Sequence, residues 1–376
     1  MYLVPLRAAA AAFLLLATST VKASFLQTNL VTDNQSITPA NNTDPNLINP
    51  WGISFSTLSP FWVSDQGGSP GAPTQRTTLY NGAGAPLSLV VSIPPSGSFG
   101  PTGQVSNSTS GFVLSDGSPA SFIFANLNGS VDAWNGGLGT TAQVAPAVPG
   151  ASFTGLALAN NLLYAADKGD GTIDIFNSSF GLASMLTDPN LPGFTPYNIQ
   201  LLSDGRLYVT FENKSNPNVG AVEILNANGT FQTLVPSTSS VLKEPWGLAL
   251  APSTFGSFGG DLLVGNKSNG TINAFNPATG AFVGTLMDAN GNPIADPGLW
   301  GIAFGNGSQG FDPNVLYFAA GVGFVPGGLG NDIYAHGLFG EISVVQSAVP
   351  EPSIAILTGL GILAVFVQRL KCSKRK

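Results

Sequence analysis

Side chains that do thiol or imidazole chemistry are almost missing from this chain. It has one cysteine, Cys372, and one histidine, His336. A single cysteine excludes an intrachain disulfide, and its place in a basic C-terminal cluster leaves the body without a thiolate nucleophile or a Cys-ligated zinc. A single imidazole excludes a His-rich metal site. It also makes His336, in Tyr334-Ala335-His336-Gly337, the one base that a Ser-His-Asp arrangement could use; a loop histidine without a catalytic role fits the sequence better. Charge is scarce too: 9% of residues are charged, where about 25% is usual. Between Ser24 and Ala348 six basic residues face 19 acidic ones, a net charge of −13. Such a field repels a phosphate polymer, so nucleic acid is excluded as a partner, whereas neutral glycans and divalent cations remain compatible.

What is abundant points the other way. The chain carries 47 Gly and 28 Pro alongside 43% hydrophobic residues. That mixture suits short strands joined by many tight turns and disfavours helices. Helical character is confined to the ends. Residues 1–23 read as a signal peptide: Arg7 supplies the positive start, Ala8 to Ala17 an apolar stretch, and Val21-Lys22-Ala23 a cleavage site. At the other end Val349-Pro350-Glu351-Pro352-Ser353 precedes the apolar run Ile354 to Val367. Gln368-Arg369-Leu370-Lys371-Cys372-Ser373-Lys374-Arg375-Lys376 follows. Positive charge stays cytoplasmic, which puts the body across the inner membrane, as the leader also requires.

The body repeats six times. One element begins with an aromatic or small residue and often Gly, then alternates apolar residues. It appears as Pro50-Trp51-Gly52-Ile53, Pro101-Thr102-Gly103-Gln104, Phe153-Thr154-Gly155-Leu156, Pro196-Tyr197-Asn198-Ile199, Pro245-Trp246-Gly247-Leu248 and Leu299-Trp300-Gly301-Ile302. A short apolar strand follows each copy, at 61–64, 122–125, 162–166, 207–211, 262–265 and 316–319. A Gly turn into an alternating third strand comes next, clearest at Gly129, Gly171 and Gly270. Period-2 alternation marks strands. A sheet of about 50 residues with two apolar faces cannot bury both alone, but radial stacking buries each face on its neighbour. The expectation is an all-β, six-bladed β-propeller over residues 24–348. Phe25-Leu26-Gln27-Thr28-Asn29-Leu30-Val31 closes the sixth blade, which lacks a fourth strand of its own. Gly after Trp lets the inner strands approach the axis, and Trp51, Trp246 and Trp300 are core residues.

Two resemblances follow from these residues. The order Pro350-Glu351-Pro352, apolar helix (about 353–368) and basic cluster Arg369, Lys371, Lys374, Arg375 and Lys376 resembles the PEP-CTERM sorting signal of Gram-negative bacteria. It implies a 349–376 sorting tail with a transmembrane helix, an exosortase-type enzyme as partner, passage through the inner membrane, and a surface or extracellular destination beside exopolysaccharide. The repeats resemble NHL-type propellers, a likeness that implies the fold and no activity.

Polar residues recur directly after the second strand: Asp65, Asn126, Asp167, Glu212 (with a one-residue shift) and Asn266. If they converge on the axis, their oxygens would suit Ca²⁺ or another divalent cation. Six-bladed lactonases of the regucalcin and gluconolactonase type hold a metal in the channel with Glu, Asn and Asp. That resemblance implies an alternative function, a metal-dependent hydrolase polarising an ester. The simpler expectation is that Asp and Asn after a strand bond their own turn. The loops Asp167 to Asp174 and Asp288 to Asn292 lack the spacing and closing Glu of an EF-hand. Ten Asn-x-Ser/Thr matches, Asn107, Asn128, Asn228 and Asn269 among them, read as turn sequences. The leading functional expectation is therefore an exported, non-enzymatic propeller that binds or scaffolds matrix components.

Overall fold

The inner strands of the computed structural model stand side by side in a closed ring, each against the next and the sixth against the first. The structure describes residues 24–67, 75–94, 100–145, 147–325 and 333–345. These form six antiparallel sheets. Blade 1 comprises Pro50–Ser54, Phe61–Asp65, Arg76–Tyr80 and Val91–Ser92. Blade 2 comprises Pro101–Ser106, Phe122–Asn126, Val131–Trp134 and Gln143–Val144. Blades 3, 4 and 5 start from the inner strands Phe153–Ala159, Phe194–Leu201 and Pro245–Leu250, and each adds three strands outward.

Blade 6 joins the two ends of the body. Its inner strand Leu299–Phe304 is followed by a long hairpin, Leu316–Val325 and Ile333–Val345. The first strand, Ser24–Thr32, then pairs antiparallel along the outer side, from Ser24 opposite Val345 to Thr32 opposite Leu338. This is the closure expected of residues 25–31. Phe25 shows why the pairing holds: it packs on Phe255 and Phe258, with ring centroids 5.0 and 5.7 Å apart, inside the core between blades 5 and 6. A two-residue strand, Asn42–Thr43, adds parallel to it on the outside.

The buried apolar residues fall into separate clusters between neighbouring blades, as both faces of each sheet demand. The outer strands carry less of this load. Leu182 to Leu186 of blade 3 faces solvent for most of its length, so stability lies toward the axis.

The segments expected to be a signal peptide (1–23) and a sorting tail (349–376), including Pro350, Glu351, Pro352 and the basic cluster, lie outside the described residues. Among the described residues no helix is long and apolar enough to cross a membrane.

Candidate functional site: the two-ended channel

The glycine in each inner-strand motif sets the width of the ring. A Cβ on Gly103 would sit 2.6 Å from the Cα of Gly155 in the next blade, and one on Gly301 would sit 2.6 Å from the carbonyl oxygen of Trp51. Gly52, Gly155 and Gly247 are equally confined by the neighbouring backbone or by Asn198. Only glycine permits so close a backbone approach. Blade 4 has Asn198 at this place, and its Nδ2 donates to the carbonyl oxygen of Trp246 at 2.8 Å. The result is a neck in the middle of the channel.

Trp51, Tyr197, Trp246 and Trp300 plug the neck from the side where the inner strands begin. Trp51 stacks on Trp300 at 3.4 Å, and Trp246 meets both edge-on at 6.3 and 6.0 Å. Trp246 Nε1 donates to the Thr154 carbonyl and Trp300 Nε1 to Asn49 Oδ1. Two of the three indoles are thus held by their N–H groups, while the buried Trp51 Nε1 has no partner and that ring is held by stacking.

Above the plug lies a mouth of about 820 Å³, lined by Lys168, Glu212, Asn213, Lys214, Glu244 and Ser268 among others. Lys168 Nζ pairs with Glu212 Oε1 at 2.8 Å, and Lys267 Nζ with Glu244 Oε1 at 3.5 Å. Both ammonium groups sit over the plug: Lys168 is 4.8 Å from the Tyr197 ring centroid and Lys267 is 5.6 Å from that of Trp300. Three of the six basic residues of the body, Lys168, Lys214 and Lys267, gather at this end of an otherwise acidic domain.

The recurring Asp65, Asn126, Asp167, Glu212 and Asn266 explain this arrangement by a one-residue difference. Asp65, Asn126, Asp167 and Asn266 pair with the first residue of their inner-strand motifs, Pro50, Pro101, Phe153 and Pro245. Glu212 pairs with Thr195, one residue before Pro196, so it corresponds to the position after the others. That next position holds Gln66, Leu127, Lys168, Glu212 and Lys267. Leu127 packs against the plug and Gln66 Oε1 accepts from Asn49 Nδ2 at 2.7 Å, so this is the set that surrounds the axis. Of the expected series, only Glu212 reaches the mouth.

Asn126, Asp167 and Asn266 bond neighbouring turns and loops, whereas both carboxylate oxygens of Asp65 are buried without a hydrogen-bond partner. Asp167 Oδ1 accepts from the backbone N–H of Ser152 and Gly169, both at 2.8 Å. Asn126 Nδ2 donates to Ser130 Oγ, and Asn266 Oδ1 accepts from Lys243 N–H. Burial raises Asp65 well above the usual carboxylate range despite Thr78 and Arg76, and burial raises Asp167 despite its backbone donors. Among the described residues no three or more His, Cys, Asp or Glu side chains are grouped for a metal ion. Asp288 Oδ1 likewise caps its own turn, accepting from Asn290 and Asn292 N–H. The Asn-x-Ser/Thr sequences at Asn107, Asn128 and Asn228 form side-chain turns, each Oδ1 accepting from the residue two further on. His336 Nδ1 lies 2.7 Å from Asp33 Oδ2, and Asp33 Oδ1 also accepts from Gly337 N–H, tying the blade 6 hairpin to the loop after the closing strand.

Sequence reasoning missed Lys168, Glu244 and Lys267 as a set. The available signal was Lys following the second-strand acid or amide in two blades, Asp167-Lys168 and Asn266-Lys267.

Sheets, ring and closing strand define a six-bladed β-propeller. The luciferin-regenerating enzyme has a similar fold: 10% identity, 80% of this chain and 94% of that one covered, TM-score 0.51. Virginiamycin B lyase from Staphylococcus aureus is also matched, at 13% identity over 86% of this chain and all of that one, with a TM-score of 0.44. No family model matches. In sequence the chain is similar to the uncharacterized protein R648 of Acanthamoeba polyphaga mimivirus, 31% identical over 316 residues, 75% of this chain and 74% of that protein. A second mimivirus protein, L690, is 29% identical over 69% of this chain and 74% of its own length. The chain belongs to the family of the mimivirus protein R648.

Proposed function

We propose that this propeller is an exported, non-enzymatic binding protein that holds acidic sugar units of an extracellular polysaccharide at its lysine-bearing mouth. The observation that carries this reading is the grouping of Lys168 and Lys214 at a ligand-sized pocket, with Lys267 behind Glu244, so that three lysines outnumber Glu212 and Glu244 there in a body of net charge −13. Local positive charge attracts a carboxylate, and the acidic surround disfavours long polyanions that would run across the whole face. Lys168 is a third exposed on its side chain, so its ammonium can meet an incoming anion while Glu212 keeps it in place. The firm floor of Trp51, Tyr197 and Trp300 pre-organises the pocket and lowers the entropic cost of binding. The leader at 1–23 and the sorting tail at 349–376 support delivery to the surface, with an exosortase-type enzyme as the processing partner.

The test is a glycan array of uronate-containing and neutral oligosaccharides probed with the purified full chain. Retention of uronate glycans that weakens with salt supports the reading; indifference to every uronate glycan removes it. Cell fractionation with and without residues 349–376 tests the address: loss of surface protein on deletion is expected, and unchanged surface levels refute the sorting role.

A further inference from the structure

The opposite end of the channel has a chemistry that the mouth does not share. Below the neck the inner-strand ends enclose a pocket of about 310 Å³, reaching from Trp246 and the neck glycines to Phe55 and Leu201. None of the residues lining it is ionisable; its polar members are Ser54, Gln104, Ser106, Asn198 and Gln200. Asn198 is already engaged, its Nδ2 on the Trp246 carbonyl and its Oδ1 on the N–H of Ile199.

Ser54 and Gln104 are different. Both are more than nine-tenths buried, yet Ser54 Oγ and Gln104 Oε1 have no hydrogen-bond partner. The orientation of the Gln104 amide is not arbitrary. Its Nε2 donates to the carbonyl oxygens of Gly52 at 2.8 Å and Trp62 at 2.6 Å, which leaves Oε1 as the free acceptor. Buried polar atoms in native proteins find a partner in protein, water or ligand, because leaving them bare is costly. Here the two residues that carry such atoms both belong to the lining of one pocket.

We propose that this pocket binds a neutral hydroxylated ligand, a single sugar unit without an ionised group. Its hydroxyls donate to Gln104 Oε1 and exchange hydrogen bonds with Ser54 Oγ. Ala157, Ile302 and Ala303 offer apolar wall to the C–H faces of the ring. The volume lies at the small end of ligand pockets, about 300–1,000 Å³, which fits one ring and not a chain. A carboxylated sugar would lose its hydration here without gaining a counter-charge. The site stands apart from the mouth and does not rest on it.

The full chain is titrated with glucose, galactose and N-acetylglucosamine, and in parallel with glucuronate and galacturonate, followed by calorimetry and saturation-transfer NMR. At least one neutral sugar is expected to bind with an affinity indifferent to salt. Ser54→Ala should weaken it about fivefold or more, and Gln200→Trp, which fills the half-buried rim, should abolish it. Lys168→Met at the mouth should leave it unchanged, so failure of the mouth reading and failure of this one are separable. The proposal is overturned if no neutral sugar binds, if uronates bind equally well, or if folded Ser54→Ala and Gln200→Trp proteins bind as the parent does. It is also overturned if crystals soaked in sugar show only water between Ser54 and Gln104.

Discussion

The two ends of the channel are built by the same six inner strands and share one neck, yet one end carries three lysines and two glutamates while the other carries only amides and hydroxyls. The difference comes from where each end obtains its side chains. The neutral pocket is lined by the inner strands themselves, whose inward positions are small or uncharged. The mouth takes its charges from residues at or just past the ends of the second strands and just before the inner ones. Residues at strand ends and in loops bear less packing constraint than the inner strands, so function can vary there with less disturbance to the scaffold.

The largest effect should come from unmaking the ring that both ends share. Deleting Ser24–Thr32 strips the outer strand from blade 6 and exposes the core that holds Phe25. Thermal unfolding should drop to the point where no cooperative transition survives near room temperature. A melting curve like that of the full chain would show that closure contributes little. Next is Gly103→Val, which forces a side chain into the Gly155 backbone. Overpacking of this kind costs about 3 kcal/mol or more when the obstacle is main chain. Chemical denaturation should show that loss together with loss of ligand at both ends. A stable variant that loses only one end would mean that the ends do not depend on a common neck.

The walls supply a pH effect that should move both ends together. Burial pushes Asp132 from 3.8 and Glu223 from 4.5, each to about 7. Because the folded pKa exceeds the unfolded one, the stability linked to the protonated carboxyls is full below about pH 4. It is lost as pH rises through about 7. Melting temperature should therefore fall between pH 5 and 8. Asp132→Asn and Glu223→Gln should flatten that slope and stabilise the protein at pH 8, by about 1–3 kcal/mol each. A slope that the two substitutions leave intact would place the titration elsewhere.

Much of this molecule could be read from its residues, and the part that could not has one geometric cause. The motif Trp-Gly with alternating apolar residues declared the inner strands, their close approach to the axis and the burial of Trp51, Trp246 and Trp300, because strand periodicity and close approach are local properties. The closing strand was readable from what blade 6 lacked. The polar series after the second strand was located correctly, but facing is decided by parity. Asp167 and Lys168 are neighbours at a strand end, so one bonds its own turn while the other stands over Tyr197. A single residue of register chooses between those roles, and blade 4, where Glu212 is offset by one, supplied the clue. The partnership of Lys267 with Glu244 and of Asp33 with His336 joins residues 23 and 303 positions apart, which no local pattern encodes.

The smallest predicted effect is the sharpest test of the contrast between the ends. Lys168→Met keeps the aliphatic stem over Tyr197 and removes the ammonium from Glu212. Lys168 is partly exposed but Glu212 is buried, so removing the ammonium leaves a desolvated carboxylate and should cost folding stability about 1–2 kcal/mol. Binding should respond differently at the two ends. Uronate glycans should bind a few-fold more weakly and with a shallower salt dependence, because one of three positive groups is gone and Glu212 is left facing the ligand. A neutral sugar on the far side of the plug should bind as before. If both affinities fell together while the protein stayed folded, the neck would be transmitting the change, and the channel would be one site with two openings.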